Sequence, residues 1–158
     1  MSIGLVRFSS MTASILTLVL LATSCGCRLR VRGSVPGPAD EDAPSAWTTT
    51  ESQLQYRVMR KGNGQFPSAE SFVTVDYIGT LESGDPFDNS YERPDSAKFN
   101  LTGVIDGWSE GLQLVSEGGM IEMIIPPSLG YGSEGMPGAI PPNATLRFVV
   151  ELWDVRGG

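Results

Sequence analysis

Residues 103–108 read GVIDGW and constrain the fold more than any other stretch of the sequence. Glycines at both ends allow tight bends, and Asp106 is of a residue type that caps helices by accepting hydrogen bonds from free N–H groups. A helix that begins here places Trp108, Leu112 and Val115 on one face, at positions i, i+4 and i+7. The indole is therefore expected to face the interior, either as core packing or as the floor of a binding site.

The composition narrows both the fold class and the chemistry. A chain of 158 residues has the length of one ordinary domain, and its 19 glycines and 11 prolines favour a turn-rich fold over a helical bundle. A formal net charge of −7 argues against nucleic-acid binding, which needs a basic surface. The chain has no histidine, and both cysteines lie within the first 27 residues. A Ser-His-Asp triad, a Cys-His pair and a His/Cys zinc site are thereby excluded from the folded part, and we expect neither metal nor cofactor.

Residues 1–24 have the pattern of an export signal. Arg7 precedes a mostly apolar run over residues 11–22, which is shorter than the roughly 20 residues that span a bilayer. The small residues before Cys25 resemble a bacterial lipobox, so Cys25 is the expected lipidation site, although Ala22 stands where leucine is usual. We expect an exported lipoprotein attached to a membrane at its periplasmic or cell-surface face. The alternatives are a secreted protein with an ordinary signal and a retained signal anchor.

Residues 25–46 have the composition of a disordered tether. Three arginines, Arg28, Arg30 and Arg32, are followed by a run rich in glycine and proline and then by three acidic residues, with little apolar content to bury. The arginines are expected to be solvated. The folded domain is expected to occupy residues 47–158.

Alternation of apolar and polar residues predicts the strands of this domain. The strongest pattern places Val73, Val75 and Tyr77 on one face of a strand. The helix that begins within residues 103–108 is predicted to end at the Glu-Gly-Gly sequence of residues 117–119. Because strands and helices do not alternate, the domain is predicted to be an antiparallel α+β fold. Strands are predicted over residues 53–60, 72–78, 120–125 and 145–155.

Five motifs in this domain occur in the order and approximate spacing of a known family. They are residues 75–79 (VDYIG), 86–90 (PFDNS), 103–108 (GVIDGW), 129–132 (LGYG) and 140–146 (IPPNATL). Together they resemble the FKBP-type peptidyl-prolyl cis-trans isomerases. Residues 107–114 (GWSEGLQL) are most similar to the bacterial, macrophage-infectivity-potentiator-like branch. The resemblance covers about residues 53–155.

The resemblance implies a strongly twisted antiparallel sheet of five to six strands, wrapped around one short α-helix. It also implies an isomerase that accelerates rotation about X–Pro bonds, with FK-type macrolides as inhibitors. Together with the export signal, it predicts that the substrates are exported proteins. A monomeric domain is expected because the tether has no recognisable dimerisation helix. The catalytic residues implied are Tyr77, Phe87, Asp88, Trp108, Tyr131 and Phe148. The substrate-binding residues implied are Val104, Ile105, Ile140, Ala97 and Met136. Trp108 is expected to lie under the prolyl ring, while the N–H of Ile105 and the hydroxyl of Tyr131 hydrogen-bond substrate carbonyls.

Two positions depart from the family pattern. Ala97 stands where many relatives have an aromatic residue, and Met136 where the well-known eukaryotic members have a histidine. We expect altered substrate preference and retained activity. The partner of Asp88 stays open between Tyr77 and Arg93. The alternative function is a non-catalytic module, or chaperone, that holds proline-containing segments in the same groove.

Overall fold

The computed structural model describes residues 32–157, and within this range one antiparallel sheet packs against one α-helix. The helix, α1 (Asp106–Leu112), lies between the fifth and sixth strands of the chain. The predicted α+β class is confirmed. The sheet has one strand more than the five to six expected, because β1 adds two residues at its edge. The strands within the described residues are β1 (Thr48–Thr49), β2 (Gln55–Arg60), β3 (Phe72–Leu81), β4 (Pro86–Asn89), β5 (Ala97–Asn100), β6 (Met120–Ile125) and β7 (Leu146–Arg156).

The two longest strands, β3 and β7, form the centre of the sheet. They pair from Phe72↔Arg156 to Leu81↔Leu146, within the order β1-β2-β6-β7-β3-β4. Both β4 and β5 pair with the other edge of β3, β4 with residues 78–80 and β5 with residues 72–75. Residues 76 and 77 of β3 therefore face the connection between β4 and β5, residues 90–96, instead of a strand.

The core follows the predicted alternation. Val73, Val75 and Tyr77 of β3 are all buried, and so is the apolar row of β7. Large apolar side chains each contribute about 1.5–3 kcal/mol when fully buried. The four strand predictions are confirmed, with ends displaced by at most three residues. The buried row of β7 consists of Leu146, Phe148, Val150 and Leu152.

Helix α1 differs from its prediction at both ends. Asp106 is its first residue and not its cap, because Ile105 occupies the cap position and makes no side-chain cap bond. The carbonyl of Ile105 accepts hydrogen bonds from the amides of Trp108 and Ser109, at 2.9 and 3.1 Å. The helix ends at Leu112, since the amides of Leu114 and Val115 bond carbonyls three residues back in tighter turns. Val115 lies beyond the helix and is still buried, as the spacing predicted.

Residues 32–46, which we call the N-terminal strap, run as irregular chain along the domain. The amide of Asp40 donates to the carbonyl of Met59 at 2.8 Å, and the amide of Lys61 donates to the Asp40 carboxylate at 2.7 Å. Arg32 is not solvated but paired with Asp76. These residues differ from the predicted disordered tether because backbone and side-chain hydrogen bonds hold them on the domain.

The proposed export signal, Cys25, Arg28 and Arg30 lie outside the described residues, so the signal, residues 25–31 of the tether and the boundary at residue 24 stay predictions. No helix within residues 32–157 has the length and apolar character required to cross a membrane.

We predict that Gly107→Ala destabilises the domain. A Cβ at Gly107 would lie 2.6 Å from Cγ2 of Ile125, a β-branched side chain that is fully buried in β6. The free-energy cost of this clash is expected to exceed the gain from the better helix propensity of alanine. The net effect should lower the free energy of unfolding by about 1–2 kcal/mol. Urea denaturation measures this change. Gly103→Ala is the control, since no atom lies within 4 Å of its added Cβ. Equal losses in both variants would contradict a close contact between α1 and the sheet.

Candidate active site

A cavity of about 450 Å³ opens between α1 and the sheet. It is lined mainly by aromatic and aliphatic side chains, with one carboxylate and two tyrosine hydroxyls as polar groups. Such a lining is typical of sites that take an apolar group and fix its orientation with few hydrogen bonds. The lining residues are Tyr77, Phe87, Asp88, Phe99, Gly103, Val104, Ile105, Trp108, Tyr131 and Phe148.

Trp108 forms the floor of the cavity and is only 4% exposed. Its ring meets the rings of Tyr77 and Phe148 edge to face, with centroids 5.0 and 5.2 Å apart. Phe99 approaches it in the same manner at 5.5 Å. Edge-to-face aromatic contacts of this kind are favourable beyond their burial alone. Three strands and the helix thus hold the indole in one orientation, so the floor is rigid.

Gly79 allows the aromatic wall to form. Phe87 and Phe148 meet edge to face with centroids 5.5 Å apart, and both rings lie across the backbone of Gly79. A Cβ at this position would lie 2.7 Å from atoms of both rings. Any larger residue would therefore displace one wall of the cavity. The sequence reasoning did not assign this role, although Gly79 lies in one of the family-like motifs.

Asp88 lies at the rim of the cavity and has both of the partners between which the sequence left a choice. The hydroxyl of Tyr77 donates to one carboxylate oxygen, and Arg93 forms a salt bridge with the other. Arg93 also donates to the hydroxyl of Tyr77, at 3.3 Å, and its guanidinium lies 5.8 Å from the centre of that ring. The Asp88 carboxylate is thus held from two sides.

The two tyrosine hydroxyls at the cavity keep their protons at neutral pH. Burial, and after it the hydrogen bond to Asp88, raises the pKa of Tyr77. Burial also raises the pKa of Tyr131, and the charge of Asp88 adds to this effect. Each hydroxyl is therefore a hydrogen-bond donor. Within residues 32–157 no group of three or more acidic or cysteine side chains has the arrangement of a metal site.

Eight of the eleven predicted site residues line this one cavity. The other three lie outside its lining. Ile140 is buried in the core and pairs with Met136 through two backbone hydrogen bonds of 2.8 Å, while Met136 is 39% exposed. Ala97 pairs with Val75 at the start of β5. The eight are Tyr77, Phe87, Asp88, Val104, Ile105, Trp108, Tyr131 and Phe148. The catalytic and binding roles assigned to all eleven stay predictions.

Phe99 and Gly103 line the cavity and were not predicted as site residues. Phe99 pairs with Val73 in the β5–β3 ladder, which carries it toward the indole. The alternation of polar and apolar residues in 98–101 was the available signal for Phe99. Gly103 was recognised only as a turn residue.

We next compared the chain with known protein families and structures. Residues 63–153, more than half of the chain, match the model of the FKBP-type peptidyl-prolyl cis-trans isomerase domain. The chain belongs to this family. Its domain is 50% identical over 108 residues to the FKBP-type isomerase FkpA of Escherichia coli strain K12, an alignment that covers 68% of this chain and 40% of FkpA.

A second relative and a solved structure agree with this assignment. The peptidyl-prolyl cis-trans isomerase Mip of Coxiella burnetii is 42% identical over 118 residues, which cover 75% of this chain and 51% of Mip. The crystal structure of FkpA from Escherichia coli superimposes with a TM-score of 0.69 at 47% identity, covering 72% of this chain and 53% of that one. The chain thus spans about half or less of the length of the curated relatives it matches.

We predict that Tyr77→Phe lowers the free energy of unfolding by about 1 kcal/mol, because Asp88 loses one hydrogen-bond donor while it keeps Arg93. Urea denaturation of the full chain measures the loss. Tyr56→Phe is the matched control, since its hydroxyl has no hydrogen-bond partner among the described residues. An unchanged stability of the Tyr77 variant would show that this hydrogen bond has no net effect on folding.

Proposed function

We propose that this protein catalyses the cis-trans isomerisation of X–Pro bonds in exported polypeptides. The observation that carries the proposal is the aromatic cavity with Trp108 as its buried floor, in a domain of the FKBP-type isomerase family. The proline ring is the apolar group that such a floor would accept, and the adjoining peptide would extend along the rim.

The chemistry needs no ionised catalyst. Rotation about an X–Pro bond is slow because amide resonance must be broken, at a barrier of about 18–20 kcal/mol. The twisted transition state has a less polar carbonyl than the planar amide, so water stabilises the planar amide more. A cavity that excludes water removes this advantage and favours the transition state. A thousandfold acceleration requires only about 4 kcal/mol.

Two hydrogen-bond donors support the orientation of the substrate. The hydroxyl of Tyr131 lines the cavity and stays protonated. The backbone N–H of Ile105 precedes the helix and has no acceptor among the described residues. Binding the carbonyls on either side of the proline to these donors would leave the prolyl amide free to rotate while its neighbours are held.

We predict that the full chain in detergent accelerates isomerisation of an Ala-Leu-Pro-type peptide, measured by NMR exchange. Asp88→Ala is expected to lower kcat/KM about tenfold, because Tyr77 and Arg93 lose the group that fixes them at the rim. Asp88 keeps 34% of its side chain exposed, so this variant is expected to fold. An FK-type macrolide should inhibit the wild-type reaction.

The control is Asp85→Ala, an exposed acid in the same hairpin that accepts a hydrogen bond from Ser83. Its kcat/KM should equal that of the wild type. Saturable peptide binding with a rate equal to that in buffer would reject the catalytic proposal and favour a non-catalytic binding module.

We further propose that the chain is exported, lipidated at Cys25 and held at a membrane as a monomer. The basic flank, the short apolar run and the small residues before Cys25 support this proposal. Mass spectrometry of membrane-extracted protein should find a diacylglyceryl group on Cys25 and no residues 1–24. An intact residue 1–24 segment would contradict it, and light scattering of the extracted protein tests the monomer.

A further inference from the structure

Arg32, at the start of the N-terminal strap, uses all five N–H donors of its guanidinium. Nε and one Nη2 hydrogen bind the two carboxylate oxygens of Asp76, at 2.8 and 2.7 Å. The second Nη2 hydrogen bonds the carbonyl of Ser90 at 2.7 Å. Nη1 bonds the carbonyls of Arg93 and Pro94, at 2.7 and 3.2 Å. A guanidinium has five donors in a fixed plane, so this pattern requires a matched set of acceptors and is unlike an ordinary surface ion pair.

Asp76 is a buried carboxylate that needs a cationic partner. Its side chain is fully buried in the outer face of β3, and it lies directly across from Glu151 of β7, which is also buried. Two carboxylates facing each other on adjacent strands repel, so each needs its own cation. Arg60 pairs with Glu151 at 2.6 Å, and Arg32 pairs with Asp76.

The electrostatics agree with this pairing. Burial opposes the ionisation of Asp76, but hydrogen bonds from Arg32, Ser96, Ser90 and Trp153 outweigh it and hold the pKa of Asp76 below its usual value. Glu151 and Tyr91 face the same cluster. The ionised Asp76 carboxylate therefore stabilises the fold at pH values above the ordinary pKa of an Asp. This stabilisation is lost as the pH falls through the lowered pKa of the folded state.

The three carbonyl acceptors of Arg32 lie in the segment that carries Arg93 to the cavity. Because residues 76 and 77 of β3 have no strand partner on this edge, Ser90 takes that place. Its hydroxyl donates to Asp76 at 2.7 Å and accepts the amide N–H of Tyr77 at 2.9 Å. The side chain of Ser90 thus holds one end of residues 90–94 to β3. Arg32 holds the rest, because it binds Asp76 of β3 and the carbonyls of this segment at the same time.

We propose that Arg32 is a positioning residue for the cavity: by binding the carbonyls of residues 90, 93 and 94 it sets the backbone from which Arg93 reaches Asp88 and Tyr77. Arg32 does not touch the cavity itself. Its effect passes through Arg93, whose guanidinium contacts both rim residues. The role in catalysis rests on the proposed isomerase function, whereas the effect on the position of Arg93 does not.

The rest of the strap supports this role, since it fixes the segment that delivers Arg32. The carbonyl of Pro38 accepts a hydrogen bond from Arg60 at 3.2 Å, and Asp40 is bonded to both Met59 and Lys61. A guanidinium delivered by a fixed segment loses less entropy on binding than one on a free chain.

The test is a double-mutant cycle in the full chain. Arg32→Met keeps the stem and removes the guanidinium, and it is expected to lower kcat/KM about three- to tenfold at a temperature where urea denaturation shows the variant to be folded. In the Arg93→Met background the same change should have almost no further effect, because the group through which Arg32 acts is gone. Arg32→Lys should recover only part of the loss, since an ammonium cannot reproduce the planar fork.

The matched control is Arg156→Met, an arginine with 81% of its side chain exposed that pairs only locally with Asp154. Its kcat/KM should match that of the wild type. Additive losses in the cycle, or an Arg32→Met variant as active as the wild type, would overturn the positioning role.

Two NMR measurements test the inference independently of activity. Arg32→Met should raise the pKa of the Asp76 carboxyl and speed the exchange of the Arg93 guanidinium protons with water. An unchanged Asp76 pKa would overturn the Arg32–Asp76 contact, and unchanged Arg93 exchange would overturn its positioning effect. A wild-type protein without isomerase activity would reject the proposed function, while these two measurements would still decide whether Arg32 positions Arg93.

Discussion

The packing of one indole against the sheet is the interaction on which both the fold and the cavity depend. Trp108 projects from α1 into rings that belong to β3, β5 and β7, and the edge-to-face contacts join the helix to all three strands. The helix has only seven residues and no side-chain cap, so it would be marginal in isolation. The same ring that stabilises it is the base of the cavity. The Trp108 ring therefore serves both the stability of the fold and the shape of the cavity, so a substitution of Trp108 affects both.

The regular parts of the fold could be predicted because their pattern repeats. Apolar, buried residues recur at every second position over residues 73–77 of β3 and 146–152 of β7, so the alternation alone identifies these strands and their inner faces. The end of α1 could not be predicted in this way. Its last turn tightens after Leu112, and the glycines of residues 117–119 mark a later turn. Eight cavity residues were predicted from the resemblance to a family, and seven of them lie in its five motifs; their spacing alone does not reveal a cleft.

The parts of the site that escaped prediction depend on contacts between distant residues. Arg32 and Asp76 are 44 positions apart, and the sequence around Arg32 has the composition of a solvated segment. Gly79 is required because two rings from different strands cross its backbone, which only a three-dimensional arrangement shows. The partner of Asp88 was left open for the same reason, and the structure gives it both candidates.

The placement of Asp76 and Tyr77 next to each other in β3 connects the two faces of the sheet. Successive side chains of a strand point to opposite sides, so the carboxylate that holds the strap and the phenol that walls the cavity are separated by a single peptide unit. A compound that displaced the strap from the outer face would disturb the cavity without entering it. Such a compound would be a non-competitive inhibitor, because added peptide substrate would not displace it. A ligand that binds in place of the proline would instead be competitive.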